Sequence, residues 1–334
     1  MFIVESYTLA IVFCFVTMLC WGSWANTQKL VTGKWRFELF YWDYVIGILL
    51  FSLLAAFTLG SSGDQGRGFV EDLQQASSGN IGSAFLGGII FNLANILLTA
   101  AISIAGMSVA FPVGIGIALI LGVIINYTGV QKGDPLALFA GVALVALAII
   151  LNAVAYKKTT ASSQKAGTKG ILLSVAAGVL MSFFYRFIAA SMDVNNFEQP
   201  EPLKMTPYSA FVIFAAGIII SNIVFNTIMM RRPFEGTPLS YKTYFRGKFS
   251  LHLVGILGGA IWGTGNLFNL IAAGKAGPAV SYGLGQGATL IAAIWGVFVW
   301  KEFKNAPRQV SLLLAGMFLF FLAGLGLIIY AGTA

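Results

Sequence analysis

Long stretches without a single Asp, Glu, Lys or Arg dominate this chain, and nothing else in it restricts the fold so strongly. Residues 6–28 carry none of these charges, nor do 44–63. From 73 to 131 there are 59 such positions in a row, and further runs cover 135–156, 170–185, 205–230, 249–274, 276–300 and 309–334. A helix crosses the hydrocarbon layer with about 20 apolar residues. In lipid only helices and closed barrels satisfy their own backbone polar groups. The runs therefore predict an all-α membrane protein with ten transmembrane helices, at 6–28, 38–60, 81–104, 107–127, 135–156, 169–190, 207–230, 249–273, 277–300 and 309–331. The 59-residue run holds two of them, with a turn near Ala105 and Gly106. The span at 169–190 is the weakest; as a re-entrant segment it would leave nine.

Composition agrees. Only 10% of the 334 residues are charged, against about 25% in soluble domains. The 39 glycines suit close approach of membrane helices, and the 28 Phe separate the chain from disordered Gly-rich sequences. The net charge of +8 does not mark a nucleic-acid partner, because the basic residues sit in short loops between apolar runs. On one side of the alternating loops lie 15 of the 20 Lys and Arg. The other side holds Arg67, Lys132, Arg186, Lys204 and Lys275. This asymmetry predicts a plasma or inner membrane protein with the basic side cytoplasmic and both termini outside. Met1 to Glu5 carry no Lys or Arg, and the first run is long enough to span, so no cleavable signal is expected. The segment from Ser61 to Asn80, rich in Gly, Ser and Gln, reads as an external loop, with a mobile connection as the plain alternative.

The chain repeats itself. Shifted by 171 residues, Leu86-Gly87-Gly88 falls on Leu257-Gly258-Gly259, Asn95 on Asn266, Gly106 on Gly277 and Gly114 on Gly285. Without a gap, 13 of 35 positions from 86 to 120 match. Two halves of five helices follow, residues 1–158 and 159–334. Five is odd, so the second half inserts upside down, as in transporters built from two inverted five-helix repeats.

This layout resembles the drug/metabolite transporter superfamily. Cys20-Trp21-Gly22-Ser23-Trp24, followed by Trp42-Asp43-Tyr44, is similar to segments at the same places in the glucose/ribose porter and ureide permease group. The resemblance implies a sugar, ureide or nucleobase cargo. Ureide permeases also carry a nucleotide-binding-like loop mid-chain, and no Gly-x-x-x-x-Gly-Lys stands between the fifth and sixth spans here.

Polar side chains inside spans are costly and mark candidate sites. Asn92 and Asn95 are three apart in one span, and Asn266 and Asn269 repeat the spacing in another. Tyr282 and Gln286, four apart, share a face. Trp21, Trp24 and Trp262 could stack on a flat or ring-shaped solute. Amides offer donors and acceptors without net charge, which suits a neutral polar cargo. Each Asn could instead bond a neighbouring helix, and Trp21 and Trp24 could sit in an interfacial belt. Asp43 stands as the one carboxylate inside a span and a proton-coupling candidate, with sodium open; alternatively it pairs with Lys34 or Arg36. Arg186 could snorkel to Asp193 or hold a substrate carbonyl, and Lys275 reads as interfacial.

Cys14 and Cys20, six apart on one helix, predict neither a disulfide nor a metal site. With His252 the only histidine, zinc and Ser-His-Asp chemistry lack support. No cofactor is expected. The chain reads as a secondary active transporter of a small neutral polar solute, proton-coupled and working by alternating access. The rivals are an exporter of aromatic or cationic compounds and a membrane-embedded enzyme, for which no reacting constellation is present.

Overall fold

The computed structural model describes residues 1–105, 107–159, 168–301, 303–304 and 306–333. Gly106 of the expected turn and the loop residue Lys165 lie outside the described residues. Among the described residues, ten helices are long and apolar enough to cross a membrane. They are α1 Tyr7–Val31, α2 Phe37–Phe57, α3 Ser78–Ala105, α4 Met107–Gly129, α5 Pro135–Thr159, α6 Thr168–Ala190, α7 Pro207–Arg231, α8 Phe249–Ala276, α9 Pro278–Val299 and α10 Arg308–Ala331. The weakest expected span, α6, is a full helix of 23 residues.

Local chemistry sets the ends. Ser6 caps α1 through the Leu9 N–H at 3.2 Å, and Pro207 and Pro278 open α7 and α9, where a missing N–H costs no helix bond. Between α8 and α9 the chain turns on Gly277, whose φ of +82° is open to glycine and strained for other residues. Two spans are interrupted. In α1 the helix breaks at Trp24. In α9 it stops at Gly285, passes Gln286 and Gly287, and resumes at Ala288.

Packing partners come in couples. Helix α3 packs on α6 and α8 on α1; α4 packs on α6 and α9 on α1; α2 packs on α8 and α7 on α3; α5 packs on α10. The closest crossings share their atoms as well. A Cβ at Gly259 would overlap Tyr44 O, and one at Gly47 would overlap Ile256 O. In the other crossing a Cβ at Gly88 would overlap Phe214 O, and one at Gly217 would overlap Phe85 O. A third couple is Gly22, where a Cβ would lie 2.5 Å from Ala288 O, and Gly178, where it would lie 2.5 Å from Gly114 O. Backbones this close leave no room for any side chain, so glycine is required by contact.

The segment from Ser61 to Asn80 is more than the bare connection its composition suggests. It holds a short helix, Phe69–Gln75. Asp72, fully buried, takes Arg67 Nε at 3.0 Å and the Thr206 N–H at 2.7 Å. Arg67 also donates to the carbonyls of Pro200, Glu201 and Lys204. Arg67, the acid five residues on and three backbone carbonyls thus lock this segment to the α6–α7 connection.

Candidate functional site

A small cavity of about 40 Å³ lies between α1, α3, α4, α6, α8 and α9. Five of its twelve lining residues are aromatic. Trp21 and Trp262 lie nearly parallel, ring centroids 5.9 Å apart and planes 9° apart. Phe91 packs on Trp262 at 4.3 Å, and Trp24 leans on Tyr44 at 4.8 Å. The polar groups of the wall are Asn95, Gln286 and Thr289. Tyr41 OH receives the Asn95 Nδ2 proton at 3.2 Å and donates to Asn92 O at 3.4 Å, which fixes the Asn95 amide. Gln286 stands at the break of α9. There the turn runs through three-residue bonds, Gly287 N to Leu284 O at 2.9 Å and Leu290 N to Gly287 O at 2.8 Å. Gly285 next to it has no room for a Cβ, which would lie 2.8 Å from the Trp21 ring and 2.9 Å from Asn269 Nδ2. Apolar walls with a few convergent polar groups, beside an interrupted helix, are the usual setting of a transporter's substrate site.

Of the nine residues singled out by sequence, five line this cavity: Trp21, Trp24, Asn95, Trp262 and Gln286. The other four sit in helix interfaces in this conformation. Asn92 Nδ2 bonds Ser221 Oγ on α7 at 2.9 Å. Asn269 Nδ2 bonds Ser281 O across the α8–α9 joint at 2.7 Å. The Tyr282 hydroxyl bonds Ala118 O on α4 at 3.1 Å and Met181 O on α6 at 3.3 Å. Asn266 is fully buried, and neither amide atom meets a partner. Phe91, Thr289, Phe184, Met181, Leu98, Ile115 and Ala288 complete the lining. Their apolar or single-hydroxyl side chains gave no sequence signal separating them from ordinary span residues.

Asp43 lies apart from the cavity, near the start of α2, and is 1% exposed. Its partners are neither Lys34 nor Arg36. Oδ1 meets Tyr244 OH at 2.5 Å and His252 Nδ1 at 2.8 Å, and Oδ2 takes the Trp35 Nε1 proton at 3.2 Å. Burial, and then the adjoining Asp43, push the Tyr244 phenol up, so it stays protonated and donates to Asp43. Arg36 turns instead to Glu38 at 2.5 Å. Glu38, fully buried in the first turn of α2, corrects the reading of Asp43 as the one carboxylate within a span. His252 was discoverable: with Gly255 and Gly259 it follows the i, i+3, i+7 pattern of one helix face, and Gly255 and Gly259 are where α8 touches α2. Arg186 does not reach Asp193, whose carboxylate accepts the backbone N–H groups of Asn195 and Glu201. Its guanidinium fills the space beside Gly129. Lys275 pairs with the exposed Glu198 at 3.4 Å. Among the described residues no group of His, Cys, Asp and Glu could hold a metal.

Comparison with known proteins places this geometry. The family model described as sugar transport protein matches residues 12–330. Ureide permease 2 of Arabidopsis thaliana is 25% identical over 398 aligned residues, which cover 98% of each chain. The glucose uptake protein GlcU of Bacillus subtilis (strain 168) is 23% identical across 70% of this chain and 72% of its own. A crystal structure described only as that of a protein superposes with a TM-score of 0.60 over 97% of this chain and 98% of its own, at 16% identity, and shares the fold.

Proposed function

The chain belongs to the sugar transport protein family, and on that premise we propose that it is a secondary active transporter of a small neutral polar solute, a sugar or a ureide. The observation that carries this is the cavity itself, with aromatic faces at Trp21, Phe91 and Trp262 and uncharged amides at Asn95 and Gln286. A polyhydroxylated or ureido ring presents apolar faces to stack on the indoles and polar edges for the amides. No carboxylate lines the cavity, which disfavours a cationic cargo. The relatives' names, permease and uptake protein, favour transport over an enzyme.

The same reading holds that residues 1–158 and 159–334 are inverted halves that rock about the cavity. The matched glycine crossings support it: Tyr44 and Phe214 are 170 residues apart, and Gly88 and Gly259 are 171 apart. Proton coupling is assigned to Asp43 with His252 as its partner. The α2–α8 crossing at Gly47 and Gly259 stands between this pair and Trp262 of the cavity wall. A change in protonation would therefore bear on the helix that carries Trp262. The basic loops are placed on the cytoplasmic side and both termini outside.

Counterflow uptake into proteoliposomes tests the cargo, with a panel of hexoses, pentoses, ureides, nucleosides and aromatic cations. Saturable exchange of a neutral sugar or ureide is the expected result. Exchange of aromatic cations alone would replace this reading with the exporter.

A further inference from the structure

A second, open crevice lies between the α1–α2 turn and the segment joining α7 to α8. Lys34, Lys242, Arg246 and Lys248 line it, and no Asp or Glu does. All four cations are exposed, and none of their side chains makes a hydrogen bond or ion pair among the described residues. Neighbouring Arg36 contrasts with them, held by Glu38 and by the carbonyls of Glu235 and Thr237. Hydroxyls of Ser240, Thr243 and Ser250 join the wall. The rim is the N-terminus of the 28-residue helix α8, whose first turn has no side-chain cap. Free N–H groups and the helix dipole there favour an anion. Four like charges in one crevice repel each other unless a counter-charge sits among them.

We infer that this crevice binds a phosphate group, presented by a lipid headgroup or by a soluble phosphorylated compound. Several cations with hydroxyls and a planar Arg fork match an anion with many oxygens better than a single carboxylate. Phe245 and Phe249, 77% and 73% exposed, flank the basic residues, and aromatic rings at headgroup depth favour the lipid source. The crevice floor is Gly247, where a Cβ would overlap the Trp35 ring and lie 2.7 Å from His252 Nε2. A bound phosphate thus rests one side chain away from Asp43.

The test uses the full chain and the triple variant Lys242→Gln/Arg246→Gln/Lys248→Gln, whose changed residues are exposed and leave the packed helices alone. Each is titrated with inorganic pyrophosphate by thermal shift. Each is also reconstituted with phosphatidylcholine and phosphatidylglycerol, and the lipid retained after purification is measured. The control is Arg231→Gln/Arg232→Gln, two exposed cations just before the crevice segment that do not line it. The parent should show saturable stabilisation by pyrophosphate or selective retention of phosphatidylglycerol, weakened by about fivefold for each cation removed. Pyrophosphate alone would assign a soluble ligand, and phosphatidylglycerol alone the lipid; both support the site. Equal weakening in the control, or no difference between parent and triple variant with either probe, would overturn it.

Discussion

Asn266→Leu should make this protein more stable and a poorer transporter. Asn266 lies fully buried in α8, and neither Oδ1 nor Nδ2 has a hydrogen-bond partner. A buried polar group left unpaired costs about 1–3 kcal/mol, whereas an apolar group of the same shape avoids that cost. Leu shares the branching and heavy-atom count of Asn and fits a helix, although its methyls are bulkier and crowding subtracts from the gain. The expected gain is about 1–3 kcal/mol, a rise of about 2–6 °C in melting temperature for a chain of this size. The repeat mate of Asn266, Asn95, lines the cavity. If the two halves exchange conformations, Asn266 takes the place in one state that Asn95 holds in the other. Loss of its amide should then weaken solute binding by about 1–2 kcal/mol, roughly five- to thirtyfold. Melting and solute affinity are measured on the same purified sample, with Asn95→Ala beside it. A stabilised Asn266→Leu that binds and transports like the parent would remove Asn266 from the site. A variant destabilised by more than about 1 kcal/mol, with Asn266→Ala destabilised by as much, would show that the amide is already paired.

Three further outcomes are expected. Asp43→Asn keeps the size of the side chain and one acceptor oxygen, for Tyr244 or for Trp35 but not both, and loses the charge facing His252; accumulation driven by an imposed pH gradient should vanish while counterflow persists, and unchanged pH-driven accumulation would make Asp43 structural. Gly88→Ala and Gly259→Ala each force a methyl into a facing carbonyl and should destabilise by similar amounts, about 1–3 kcal/mol or more, while Gly326→Ala, with nothing within 4 Å, should melt like the parent; a large difference between the first two would break the proposed equivalence of the halves. A cytosol-active reporter fused to the C-terminus should stay silent in intact cells, and strong activity would reverse the assigned orientation.

The ten spans were legible because charge-free length is a property of the chain read in one dimension, and the hydrocarbon layer imposes a length. The face a residue presents is not such a property. Asn92 and Asn95 are three apart, yet at about 100° per residue they stand about 60° from each other around α3. That is enough to send Asn92 to Ser221 on α7 while Asn95 reaches the cavity. A single histidine gives zinc and triad chemistry little support, but the count cannot say that His252 meets a carboxylate 209 positions away. The expected repeat was read from matching glycines, and one matched pair, Gly88 and Gly259, has a physical reason: each faces a carbonyl of a neighbouring helix. Gln286 shows the two kinds of information meeting. Gly285 and Gly287 stand on either side of it where the helix is interrupted, and Gln286 lines the cavity with Trp21 and Trp262. Among the polar residues of these spans, those beside a break in the backbone are the stronger site candidates, because an unbroken helix offers its Asn and Gln a neighbouring helix to bond, as Asn92 does.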